Sequence, residues 1–288
     1  MPRGIPSAGY RKTKARQEAK PVQLKQVPIL VVSNETDAQI EERINDRFEI
    51  LEDLTNAAIK SDVRAVIVSG PAGLGKSYTV EEALKKWDPQ EKKHTIIKGY
   101  VRAPSLYKLL YSHSRAGQVL VFDDADTVFQ DDTSLNMLKA VCDSSKSRRV
   151  SYMTEGVLYD EDTAERLPKS FSFEGTIIFI SNLDFDGMIE KGHRLAPHLQ
   201  AMMSRSHYID LALKTKRDYM IRIRQVLKQG LLDQTGLDKL AQDDVVNFLE
   251  VNRDSLRELS LRIALKVAAV RKMNTARWEK TAKVTCCK

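Results

Sequence analysis

The chain has 288 residues, of which 42% are apolar, enough to pack one large domain or two small ones. No run of 18 apolar residues occurs, and the basic N-terminus lacks an apolar stretch behind it; neither a membrane-spanning helix nor a secretory signal is expected. The net charge of +7 sits at the two ends, because residues 1–27 hold seven Lys/Arg against Glu18 and residues 271–288 hold six against Glu279, which leaves a mildly acidic body.

In chain order, residues 1–27 scatter Pro and Gly among cations with almost no apolar periodicity, and read as a disordered basic arm. Ile40, Ile44, Phe48, Leu51 and Leu54 make one apolar stripe, so 36–60 reads as a helix capped by Thr36 or Asn34. Arg64–Ser69 is a short β-branched strand, 77–87 a helix, 94–97 a weaker strand and 106–112 a helix. Residues 119–122 are a third strand, 134–142 a helix, 176–180 a fourth strand and 207–211 a fifth. Apolar strands alternating with helices predict an α/β fold with a parallel sheet covered on both faces. From about residue 213 the β pattern stops, and 220–228, 237–250 and 255–272 are helix-like. The expected division is therefore a basic arm (1–27), a nucleotide-binding core (28–212), an all-helical lid (213–275) and a basic tail (276–288). Cys142, Cys286 and Cys287 are an odd count without metal-ligand spacing, which points to reduced thiols in a cytoplasmic compartment, the last two on a frayed end.

Between the first strand and the next helix lies Gly70-Pro71-Ala72-Gly73-Leu74-Gly75-Lys76-Ser77, a G-x-x-x-x-G-K-S phosphate loop in the context that motif needs. Its glycines let backbone N–H groups ring the phosphates of ATP. Lys76 sets a cation on the β/γ-phosphates, Ser77 reaches Mg²⁺, and the helix points its N-terminus at the anion. The third strand runs into Asp123-Asp124-Ala125-Asp126. A carboxylate there, expected beside the P-loop strand, suits Asp123 as a Mg²⁺ ligand and Asp124 as the group that polarises the attacking water; an acidic turn capping the next helix is the alternative. Asn182, after the fourth strand, has the place to orient that water, or simply ends the strand in a turn.

Together these motifs resemble the AAA+ ATPases over roughly residues 36–275. GPAGLGKS resembles Walker A, VLVFDDAD Walker B and IFISN sensor 1. Ser204-Arg205 before a strand resembles the arginine-finger motif, and LSLRIALK with Arg262 resembles sensor 2. The resemblance implies a RecA-like αβα core with a helical lid, assembled as a homo-oligomeric ring, a hexamer by preference, with ATP at the subunit boundaries. It is nearest to small phage-encoded AAA+ proteins, which implies the cytoplasm of a bacterial host. One departure is Asp124, where the family usually has Glu. An arginine acting on a neighbour's γ-phosphate needs head-to-tail contacts, which close into rings or run on as filaments. For Arg205 and Arg262 an ordinary surface arginine is the alternative; Arg194 is the reserve finger.

The family also gives expectations for substrate contacts. Tyr100 and Val101 after the second strand stand where ring translocases carry a pore pair, for gripping polypeptide or stacking on a base; a Tyr buried in a loop is the alternative. Residues 143–175 resemble the hairpin inserted before sensor 1, whose Arg148, Arg149 and Tyr152 would reach the channel; a plain surface excursion is the alternative. The arm at 1–27 would neutralise phosphates of a nucleic acid or remain a solvated tail. Two functions stay open: a motor that remodels or translocates DNA or protein, and a slow ATP-dependent switch or loader. A small P-loop kinase would need neither the lid with Arg262 nor Ser204-Arg205.

Overall fold

A computed structural model of the chain describes residues 34–159, 164–273 and 276–288. The basic arm expected over 1–27 lies outside the described residues. The first elements are α1 (Asp37–Ile59), β1 (Ala65–Ser69), α2 (Lys76–Trp87), β2 (His94–Lys98), α3 (Ala103–Ser112), β3 (Val119–Asp123) and α4 (Asp132–Val141). Next come β4 (Arg149–Ser151), β5 (Ser170–Ser172), β6 (Thr176–Ser181), α5 (Phe185–Glu190), α6 (Ala196–Met203) and β7 (His207–Asp210). The chain ends in α7 (Lys216–Lys228), α8 (Lys239–Asn252), α9 (Leu261–Met273) and α10 (Trp278–Cys286).

β1, β3 and β6 are buried along their whole length, which is why they read as unbroken apolar runs rather than alternating ones. The five long strands form one parallel sheet in the order β2-β3-β6-β1-β7. Successive residues face opposite sides. Val66, Val68, Val119, Val121, Ile178 and Ile180 pack with α1 and α2. Ile67, Leu120, Phe122, Ile177 and Phe179 pack with α3, α4 and α6 on the other face. The architecture is the expected αβα sandwich with C-terminal helices. One detail differs: β6 lies between β1 and β3, so the strand bearing Asp123 is not beside the P-loop strand. The chain must travel from β1 to β2 at the far edge, so α2 crosses over β6 and β3 on the way. That crossing brings Ser77 to Asp123 despite the intervening strand.

The short helices α5 and α6, between β6 and β7, had no expectation attached to them. α9 starts at Leu261 rather than near Ser255. The larger correction is at the end of the chain. Residues 276–288 were expected as a frayed basic tail, but 278–286 form a helix. Trp278, Ala282, Cys286 and Cys287 are buried with Val245, Phe248, Leu249, Val267 and Ala268 in a third apolar core. The four-residue spacing of Trp278, Ala282 and Cys286 makes the stripe that the surrounding lysines obscure.

α7 is tied to α1 by Asp218. Its buried carboxylate accepts from Arg43 Nη2 (3.2 Å), Thr215 Oγ1 (2.5 Å) and the Lys214 N–H (3.2 Å). Burial pushes this carboxyl up, but the hydrogen bonds from Thr215 and Arg43 outweigh it, and the net position is below the usual carboxylate range. Asp218→Asn should therefore lower unfolding stability at neutral pH by about 1–3 kcal/mol. A carboxyl held low stabilises above its ordinary value and loses that contribution as pH falls through the folded one. The gap between wild type and D218N, measured by urea unfolding, should shrink on acidification.

Candidate nucleotide-binding site

The C-terminal ends of β1, β6 and β3 are level: Ser69 pairs with Ser181, and Asp123 with Ile180. Everything that follows those three strands therefore meets at one edge of the sheet. After β1 the loop 70–75 turns back on itself through Gly73 (φ +75°) and Gly75 (φ +101°), a left-handed backbone that glycine adopts without a Cβ penalty. Gly75 is the N-cap of α2 and offers no side chain to its free N–H groups, so the helix N-terminus stays open to an anion.

Lys76 is only 4% exposed. Its ammonium donates to Gly70 O (2.6 Å), Pro71 O (2.9 Å) and Asn182 Oδ1 (2.8 Å). Burial pushes its pKa down to about 8, against the pull of Asp124 and Asp123. Asn182 Nδ2 in turn donates to Asp124 Oδ1 (2.6 Å). The turn carrying Asn182 is held from below, as the Ser69 hydroxyl donates to Leu183 O (2.6 Å) and the Ser181 hydroxyl to Asp126 Oδ1 (2.6 Å). Asp124 has φ +53°, uncommon for a residue with a side chain, and this turns it off the strand into the cleft. Ser77 Oγ donates to Asp123 Oδ1 (2.8 Å), and Lys98 Nζ lies 3.1 Å from Asp123 Oδ2 and 2.7 Å from Glu81 Oε1.

The C-terminal helices close over the loop. The Leu261 N–H donates to Gly73 O (2.8 Å), and Arg222 Nε donates to Leu74 O (3.3 Å) while its guanidinium stacks 3.5 Å from the Phe48 ring centre. Burial pushes the Arg222 pKa down to about 10. Between loop and lid is a cavity of about 670 Å³. Lys76, Ser77, Asp124 and Asn182 line it from the core, and Arg222 and Arg262 from the lid. The volume is in the range of small-molecule sites. The donor set fits a magnesium–triphosphate group: hard oxygens from Ser77 and Asp123, backbone N–H groups and a buried cation.

The chain is 37% identical over 242 residues to an uncharacterised 36.7 kDa protein from the nrdC–mobD intergenic region of Enterobacteria phage T4, covering 83% of this chain and 73% of that one. The chain belongs to that protein's family. No family model matches the sequence. Among solved structures, the Thermotoga maritima RuvB Holliday junction branch migration motor aligns with a TM-score of 0.48 at 15% identity, covering 84% of this chain and 68% of that one. Domain III of the Thermotoga maritima replication initiation protein DnaA aligns with a TM-score of 0.48 at 11% identity, covering 85% and 92%.

The remaining AAA+ expectations divide. Arg205 is exposed at the end of α6, donates to Ala201 O (2.8 Å) and faces Asp143 at 3.6 Å; Arg194 faces Asp132 at 3.7 Å. Neither lines the cavity of its own chain. The hairpin before β6 forms, with Val150 opposite Phe171; part of the loop joining its strands, 160–163, lies outside the described residues. Two substrate contacts need correction. Arg148 is 8% exposed, donates to Val141 O (3.1 Å) and Gly175 O (3.0 Å), and so pins the hairpin base instead of reaching a channel. Val101 is buried, its N–H on Thr127 Oγ1 (3.3 Å), so it anchors the loop rather than lining a pore. Tyr152 is half-buried against Tyr107, ring centres 5.6 Å apart. Tyr100 is 70% exposed, and Arg149 is exposed with its guanidinium on Ser170 Oγ.

Two site residues carried no expectation. Arg222 lies in a helix with no motif, and only its position on the lid helix facing the loop reveals it. Lys98 is the last residue of β2, in register with Asp123, a pairing visible only once strand order is known. Lys76→Ala should abolish ATP binding, measured by titration, because a buried phosphate cluster would lose its cation. Unchanged affinity would mean the loop holds no nucleotide.

Proposed function

We propose that the protein is a Mg²⁺-dependent ATP hydrolase that assembles head to tail and uses the cycle to remodel or translocate DNA or protein. The observation that carries this reading is the chain of hydrogen bonds Lys76–Asn182–Asp124 at the mouth of the P-loop cavity. It joins the group that would hold the γ-phosphate to the group that would take a proton from water.

In this reading the backbone of 70–76 and the N-terminus of α2 bind the phosphates, with Lys76 against the β/γ-oxygens. Ser77 and Asp123 hold Mg²⁺, which when bound would neutralise developing charge on the phosphates. Asp124 accepts the proton of the attacking water, and Asn182 fixes the orientation of that carboxylate. Arg262 reaches the phosphates from the lid side. Arg222 and the Leu261 N–H hold the lid against the loop, so the shape of 70–75 and the angle of the lid change together.

Arg205 supports the assembled form. It is exposed and lies outside its own cavity, so it serves catalysis only on a neighbouring subunit; an arginine so used is worth about 10³–10⁵ in rate in other P-loop enzymes. The geometry of such contacts favours a ring, for which we propose six subunits. The phage relative favours the cytoplasm of a bacterial host, and among the described residues no helix is long and apolar enough to cross a membrane. A second reading, a slow ATP-gated loader, is favoured by the hold Asn182 has on the short side chain of Asp124. Measuring ATPase rate with and without single-stranded DNA, duplex DNA and unfolded protein separates them, since a motor is stimulated by its track.

Asp124→Asn should keep ATP binding and lose turnover; hydrolysis at the native rate would remove Asp124 from the mechanism. Arg205→Ala should also bind ATP and turn over slowly. Mixing the two variants should restore part of the rate, because an intact P-loop from one then meets an intact arginine from the other. A mixture that co-assembles and stays inactive would show that Arg205 does not act in trans, and Arg194 would be tested next.

A further inference from the structure

The last helix presents charge in a way a tail cannot. α10 buries Trp278, Ala282 and Cys286 against the lid, and this fixes the opposite face outward. Along that face stand Arg277, Lys280 and Val284, bordering a shallow groove of about 560 Å³ that Thr281 and Thr285 also line, and Lys283 is exposed on its flank. Lys280 and Lys283 are exposed, and their side chains make no ion pair or hydrogen bond among the described residues. Three nearby cations are spent: Arg271 is bonded to Asp244 (3.0 Å), Lys272 to Thr235 O (2.8 Å), and Arg257 caps the end of α10 through Cys287 O (2.8 Å). Glu279 is the one acid of the segment 276–288.

We infer that the outer face of α10 is a docking surface for the phosphodiester backbone of nucleic acid. Exposed lysines without partners release counterions when they meet phosphates, and binding gains most where no carboxylate competes. A membrane surface is disfavoured because the apolar stripe of α10 is already used within the protein, leaving Val284 as the lone apolar residue on the outer face. With backbone contacts alone, the surface binds without sequence preference. This names the substrate class of the proposed machine and rests on that reading only for its use; the binding itself needs neither ATP nor a ring.

The test is fluorescence anisotropy of a labelled mixed-sequence duplex, and of its single strand, with the full chain and no nucleotide, titrated over sodium chloride. The double variant K280Q/K283Q should bind several-fold more weakly at low salt, with its log–log salt slope reduced by about two units. Glu279→Gln should shift affinity the other way. Thermal melting of both variants should match wild type, since Glu279, Lys280 and Lys283 are exposed, and ATP titrations should be unchanged. Equal affinity and slope for K280Q/K283Q and wild type would overturn the proposal and assign any binding to residues outside α10. Loss of binding to phosphatidylglycerol vesicles with DNA binding intact would overturn it in favour of lipid. A wild-type chain that binds DNA but not ATP would leave this surface standing and remove the ATPase reading instead.

Discussion

A buried ammonium organises the site. Placing the Lys76 charge where water hardly reaches is costly unless several acceptors converge on it. The acceptors come from separate parts of the chain: two carbonyls from the loop after β1 and an amide oxygen from the turn after β6. Satisfying one cation thus fixes the path of the loop, the height of the turn and, through Asn182, the position of Asp124. The sheet supplies the rest, since its parallel strands end level and need no long excursion to bring these groups together.

The lid enters the same arrangement through backbone rather than charge. Gly73 gives its carbonyl to the first helical N–H of α9, and Leu74 gives its carbonyl to Arg222. A Cβ on Gly73 would stand 2.7 Å from Ser260 Cβ, so the loop and the lid are packed without spare room. A loop that rearranges around phosphates cannot do so while leaving α9 where it was. This gives a physical route from an occupied cavity to a moved surface, and α10 rides on the helices that would move.

The core was largely legible because its strands are buried on both faces: segments such as Val66–Val68 or Ile177–Ile180 admit no other role. The P-loop and the two acids were legible because their chemistry dictates residue type and order. Side-chain direction was not. Arg148 directly precedes Arg149, the first residue of β4, and one points inward and the other outward; sequence alternation left open which, and the buried one turned out to be structural. At α10 the lysines dominated the reading, although Trp278, Ala282 and Cys286 carried the helical period. Arg222 and Lys98 had no sequence signal, because their roles arise from a tertiary approach between elements far apart in the chain.

The left-handed backbone at Asp124 bears on what can occupy that position. Two independent filters act there. The backbone at φ +53° admits Gly, Asn and Asp with little strain and penalises longer side chains. The chemistry proposed for the residue asks for a carboxylate, which admits Asp and Glu. Aspartate is the one residue that passes both. The short acid that departs from the usual glutamate is therefore explained by the turn that holds it, and a return to glutamate would trade reach toward the water for strain in the main chain.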